Sequence, residues 1–223
     1  MSFNVVWGWE TIWLACLMST VTVLLALVRA PWQLVKSNQE RQHALFAAIV
    51  ILALFWQLQL EVRGTLLLHP IAMNVVVMVF GSALALIVGM GALLLGHLFN
   101  DQSWTLLPFE YLTMVMVPVA VVSALLKLIN RIPQANMFFY LFGAAFFGAV
   151  PTLLCVGAVS WLYLQIFAEV HLQQLFAEYS YLLLLMMFPE GFINCSVATV
   201  VTVLRPDLVR TFDDHRYLDD KEN

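Results

Sequence analysis

Residues 65–99 read TLLLHPIAMNVVVMVFGSALALIVGMGALLLGHLF, a run of about 35 residues without one Lys, Arg, Asp or Glu. At ~1.5 Å per residue a straight helix of that length would measure about 52 Å, far more than a bilayer core of about 30 Å. The run therefore doubles back, either as a tight helical hairpin or as a re-entrant pair. Gly81-Ser82 is the expected break, because it joins a helix-weak glycine to a turn-prone serine.

Working outward, the other apolar runs are 11–28, ended by Arg29 and Pro31; 44–60, ended by Glu61; 106–126; 137–167; and 179–204. A polar stretch, 205–223, follows. Hydrophobic residues make up 62% of the chain and charged residues 11%, against roughly 45–50% and 25% in ordinary soluble domains. So few charges do not coat a soluble globule of this size. A net charge of -4 provides no broad basic field and excludes a nucleic-acid binder. The expected fold class is all-α: a polytopic transmembrane helix bundle of about seven helices with broken or re-entrant segments. Residues 1–204 are read as one membrane-embedded helical domain and 205–223 as a polar cytoplasmic tail.

Loop charges give the orientation. Arg29, Lys36 and Arg41 separate the first two runs; Lys127 and Arg131 follow the fourth; Arg205, Arg210, Arg216 and Lys221 fill the tail. Segments 100–105 and 168–178 carry no base. With basic loops inside, the N-terminus lies outside, the tail lies in the cytoplasm, and 65–99 crosses an even number of times. Residues 1–10 contain no Lys or Arg, unlike a cleaved signal, so the first run is read as a retained helix. Cys16, Cys155 and Cys195 lie in apolar runs at spacings that fit neither a disulfide framework nor a metal site.

Ionisable groups at membrane depth are costly and point to function. His69 precedes Pro70 at the start of the long run, His97 closes it, and Glu110 opens the next helix. The assigned topology puts all three near the outer surface, as it does the N-terminal residues Met1 and Ser2, so they can converge on one outward-opening site. Imidazole and carboxylate suit a borderline divalent cation such as nickel or cobalt. The plainer reading makes His97 and Glu110 solvated helix ends. Glu190 sits in Phe188-Pro189-Glu190-Gly191, where the proline and glycine are expected to unwind the last helix. Glu190 then either caps the second half of that helix or, with Asn194 one turn on, forms a buried polar relay. His43 and His171 fall at loop edges. Ala15/Ser19, Gly81/Ala85/Gly89 and Ala144/Gly148 form small-residue stripes suited to close helix packing. No phosphate-binding loop, nucleophile elbow or CxxC is present, so the chain is not read as an enzyme, and energy for uphill transport must come from a partner or an ion gradient. A haem-binding subunit would need His69 and His97 at matched depth on facing helices.

Four stretches carry a family resemblance: Leu68-His69-Pro70 running on to Phe80-Gly81; Ser103-Trp104-Thr105-Leu106-Leu107; 140–148, YLFGAAFFG; and 188–194, FPEGFIN, continuing to Arg205-Pro206-Asp207-Leu208-Val209 and Thr211-Phe212-Asp213-Asp214. The chain resembles the CbiM-type permease, the substrate-specific membrane component of cobalt/nickel energy-coupling-factor ABC transporters, in a divergent bacterial branch. The last stretch is the most specific. The resemblance implies seven helices, an outside N-terminus, a bacterial inner-membrane location, and uptake of Co2+ or Ni2+ as cargo, with no cofactor permanently bound. It implies as partners a transmembrane coupling protein and ATPase subunits, besides the lipid bilayer. It also implies that the metal is held by the terminal amine, by the backbone and side chain of a histidine at the second residue, and by a histidine matching His69. The second residue here is Ser2, so either the site is rebuilt, with His97 or Glu110, or the substrate has changed. The alternative is a non-transporting membrane scaffold subunit that has lost its metal site.

Overall fold

The computed structural model describes residues 2–3, 9–62, 66–99, 103–132, 136–167, 170–213 and 217. In chain order the helices are α1 (Trp9–Arg29), α2 (Trp32–Lys36), α3 (Gln39–Phe55), α4 (Met73–Phe80), α5 (Ser82–Phe99), α6 (Leu107–Ile129), α7 (Met137–Phe167), α8 (Val170–Tyr179) and α9 (Tyr181–Leu204). A 3-10 turn, Pro206–Leu208, follows α9. Three very short strands, β1 (Ser2–Phe3), β2 (Leu60–Val62) and β3 (Leu66–Leu68), form an antiparallel sheet in the order β1-β3-β2. The fold is a helical membrane bundle with this small sheet at one end.

Among the described residues, five helices, α1, α5, α6, α7 and α9, are long and apolar enough to cross a membrane. Their outward faces are apolar: Leu17, Leu24 and Val28 on α1 and Leu185, Phe188 and Val203 on α9 are exposed, as suits contact with lipid. Contacts at the two ends order the remaining legs. Arg41 at the start of α3 reaches the Asp207 carbonyl beyond α9, whereas Trp56, just past the end of α3, donates to the Ile71 carbonyl ahead of α4. The end of α4 meets Arg210 and Thr211. Thus α3 runs from a tail end to an opposite, sheet-bearing end, and α4, of only 8 residues, leads back toward the tail end.

The run at 65–99 does turn back at Gly81, whose φ of 75 lies in the left-handed region that glycine enters freely. It does not make two full helices. Leu66–Leu68 is extended and α4 has only 8 residues, ~12 Å of rise. Gly81 consequently precedes α5 and does not share a helical stripe with Ala85 and Gly89. The second apolar run is also displaced. α3 starts at Gln39 because the Asn38 side chain caps it, accepting from Glu40 N–H and Arg41 N–H, and it stops at Phe55, before the strand residue Leu60.

The short α4 is buried along most of its length, and α9 packs beside it. α9 is unbroken through Pro189, contrary to the unwinding expected from its Pro-Glu-Gly triplet. Within a packed membrane bundle neighbouring groups support a helix past a proline. Gly191 is needed for a different reason: a Cβ there would lie 2.6 Å from the Phe146 carbonyl oxygen of α7. That part of α7, Leu141–Phe146, is a π-helical turn closed by the bond from Phe147 N–H to the Phe142 carbonyl at 2.8 Å. The stripe partners Ala15, Ala144 and Ser19 are buried inside the molecule, Ser19 donating to the Pro108 carbonyl.

The described part of the tail is docked. Tyr140, Phe212 and Tyr217 pack ring against ring, and Tyr217 donates to Asn130 at 2.6 Å. Arg205 bridges Glu40 and Asp207, and its hydrogen bond holds the Asp207 carboxyl below the usual carboxylate range.

Gly191→Ala tests the α9–α7 contact. Because the obstacle is backbone, the variant is expected to lose about 1–3 kcal/mol of stability, read as a lower unfolding temperature in detergent.

Candidate metal site

A cavity of about 30 Å³ lies at the sheet-bearing end, between α3, α5, α6 and the turn that leads into α4. It is large enough for a water-sized occupant or a single ion. His69, His97 and Glu110 all line it, joined by Gln57, Gln59, Trp56 and Met114. The three residues singled out from the sequence thus meet in one place.

His97 and Glu110 are not solvated helix ends. Both are buried, on facing helices, with His97 Nε2 3.6 Å from Glu110 Oε2. The His97 Nδ1–H donates to the Leu93 carbonyl one turn back at 3.1 Å, since a carbonyl can only accept. Nε2 therefore faces the carboxylate at a separation longer than a hydrogen bond, and no described group hydrogen-bonds to it. Trp104 lies over the ring at 5.4 Å. Glu110 is placed by the first turn of α6, where a carboxylate complements the helix dipole, and a π-helical turn, Tyr111–Met116, follows at once.

His69 is buried, 4% exposed, on the turn between β3 and α4. Its Nδ1–H donates to the Pro70 carbonyl at 3.2 Å, and its ring lies 6.4 Å from that of Trp56. β1 pairs with β3 so that Ser2 faces Leu67, two residues ahead of His69. Met1 lies outside the described residues, and of Ser2 the backbone is described. Among the described residues no group of three His, Cys, Asp and Glu side chains stands close enough to hold a metal ion. His43 is exposed on α3. The side chain of His171 lies outside the described residues.

Glu190 and Asn194 sit behind the turn. They are buried and hydrogen-bonded to each other, and the carboxylate holds the backbone just ahead of α4 rather than capping the second half of α9. Ile71 N–H and Ala72 N–H donate to the two oxygens of Glu190 at 2.8 and 2.7 Å, and Val75 N–H donates to Asn194 Oδ1 at 2.9 Å. Asn194 Nδ2 donates in turn to Glu190 Oε1 at 2.8 Å. At the other end of α4 the tail supplies the donors: Thr211 to the Met78 carbonyl, Arg210 N–H to that of Val79 and the Arg210 guanidinium to that of Phe80. Between these ends Asn74 donates to the Ala144 carbonyl in the π-turn of α7 and accepts from Thr152. Asn74, Gln57 and Gln59 were not singled out from the sequence. The available signal was an amide inside an apolar run, a polar group that must find hydrogen-bond partners at depth.

The region described as the cobalt uptake substrate-specific transmembrane region, CbiM, matches residues 8–208. The chain belongs to the CbiM family. No curated protein matches it. As a CbiM-family protein it is a multi-pass membrane component of cobalt uptake, in a family of transporter components and not of enzymes. The match spans every helix from α1 to α9, including Glu190 and Asn194 at the start of α4, and stops just short of Arg210 and Thr211 at its end.

Asn74→Leu removes the donor to the Ala144 carbonyl, while the Thr152 hydroxyl keeps its bond to the Gly148 carbonyl. A loss of about 1–3 kcal/mol is expected, measured as thermal unfolding in detergent, with the helical circular dichroism of the folded state retained.

Proposed function

We propose that this protein captures a divalent transition-metal cation, Co2+ or Ni2+, in the cavity beside His69 and passes it inward as the substrate-binding membrane subunit of an energy-coupling-factor ABC transporter. The observation that carries the reading is that His69, His97 and Glu110 line one ion-sized, partly open cavity, close to the strand formed by Ser2–Phe3. Two imidazoles and a carboxylate are the donors that borderline divalent cations prefer. Such ligands bind as deprotonated groups, so affinity falls as pH drops. Gln57 and Gln59 also line the cavity.

Family membership supports cobalt as cargo. The absence of a phosphate-binding motif from the sequence leaves ATP hydrolysis to separate ATPase subunits, joined through a transmembrane coupling protein. The clustering of basic residues at the tail end supports a cytoplasmic tail and an outside N-terminus in the bacterial inner membrane.

A second reading has its own support. Ser2 replaces the histidine that the family pattern places there. Because no three of the described His, Cys, Asp and Glu side chains stand close enough to hold a cation, this reading makes the chain a membrane scaffold subunit that has lost its metal site. Thermal unfolding of the purified protein with and without Co2+ or Ni2+ separates the two. A cargo-binding protein gains about 2.7 kcal/mol at a metal concentration a hundredfold above Kd; a scaffold gains nothing. His69→Ala is expected to abolish this gain and high-affinity binding in equilibrium dialysis, and unchanged binding would refute the assignment.

A further inference from the structure

His69 stands on a four-residue turn, His69–Ala72, that leaves β3 and enters α4. The turn is held from outside. Trp56 Nε1–H donates to the Ile71 carbonyl at 3.0 Å. The next two backbone N–H groups, of Ile71 and Ala72, converge on the two oxygens of one carboxylate, Glu190, at 2.8 and 2.7 Å. Ala72 has φ 56 and ψ 14, the left-handed region that a residue with a Cβ enters at a cost. Successive N–H groups point to the same side of the chain when one of them takes this conformation, so a single acceptor with two oxygens rewards the strained turn and no extended alternative. The acceptor itself is fixed: Glu190 is 1% exposed and Asn194 0%, and Asn194 Nδ2–H donates to both the side chain and the backbone carbonyl of Glu190 at 2.8 Å.

We propose that Glu190, held by Asn194, is the positioning residue for His69: its carboxylate grips the backbone of the His69–Ala72 turn and so sets where the imidazole enters the cavity, without touching the cargo. The proposal rests on the reading of that cavity as the metal site. It assigns a function to an ionisable group in the middle of α9 that binds no cargo. A carboxylate is required because a glutamine offers one oxygen and turns an N–H against the second backbone donor.

The test uses the full-length protein in detergent and two readouts. One is Co2+ affinity together with the visible absorption of bound Co2+, which reports ligand geometry. The other needs no metal: the ring signal of His69 in a 15N-histidine NMR spectrum, assigned by its disappearance in His69→Ala. Glu190→Gln is expected to weaken Co2+ binding roughly 10–100-fold, change the Co2+ spectrum and move the His69 signal. Adding Ala72→Gly to that variant is expected to restore part of the affinity, since glycine takes φ near +56 without strain. A purely structural role for Glu190 predicts no such rescue. An unmoved His69 signal in folded Glu190→Gln overturns the proposal. If Glu190→Gln does not fold, Asn194→Ala takes its place, because it frees the carboxylate while keeping it; an unmoved signal there overturns the proposal equally. Wild-type protein that binds neither Co2+ nor Ni2+ refutes the transport reading, and the NMR signal then decides the positioning role alone.

Discussion

A helix of 8 residues buried in the middle of an apolar bundle has a problem at each end. Its first N–H groups and last carbonyls have no partner within the helix, and neither lipid nor packed leucine can bind them; each group left unmet costs several kcal/mol. α4 is such a helix, and one contiguous part of the chain answers both ends. Asn194 of α9 meets the N–H of Val75 in the first turn, Glu190 meets those of Ile71 and Ala72 just ahead of the helix, and Arg210 and Thr211 meet the carbonyls of Met78, Val79 and Phe80. The charges also complement the helix dipole, an acceptor with a carboxylate at the start and a guanidinium at the finish. α4, α9 and the tail therefore form one mechanical unit that spans the bundle.

The position of the site follows from that unit. Because α4 is short, the chain must reach its start in an extended form, and the extended residues Leu66–Leu68 have free edges that β1 and β2 fill. This draws Ser2–Phe3 against the approach to His69. α5 then returns from Gly81 over 18 residues and delivers His97 to the same end, where the first turn of α6 presents Glu110. A hairpin of two full helices would have left His69 at a membrane surface. The half helix leaves room to sink its side chain, 4% exposed, beside Trp56 at the partly open cavity.

Much of this was legible in the sequence. The length of the run at 65–99 and the placement of Arg and Lys each required it to double back, and Gly81 marks the reversal. His69, His97 and Glu110 were legible because ionisable side chains at membrane depth are rare. The extended stretch at Leu66–Leu68 was not legible: a short apolar run reads equally as strand or helix, and its strand partners are far away in sequence. Pro189 was misread for a related reason. Pro-Glu-Gly marks a break in a solvated helix, whereas here α7 and α4 support α9 on both sides of it. The contact of Glu190 with Ile71 and Ala72 joins an acceptor to donors 119 and 118 residues away, a pairing that no local rule reveals. Asn74 was missed because one amide in a run of valines carries little weight until its partners on α7 are seen.

The account depends on the start of the chain and the approach to His69 sharing one sheet. The most direct measurement is oxidative cross-linking of Ser2→Cys with Leu67→Cys, in protein whose native Cys16, Cys155 and Cys195 have been replaced, combined with labelling of each single cysteine by an impermeant thiol reagent in intact cells. The account predicts that the pair forms a disulfide and that both positions are reached from the same side of the membrane. Failure to cross-link, with the two positions labelled from opposite sides, would contradict it.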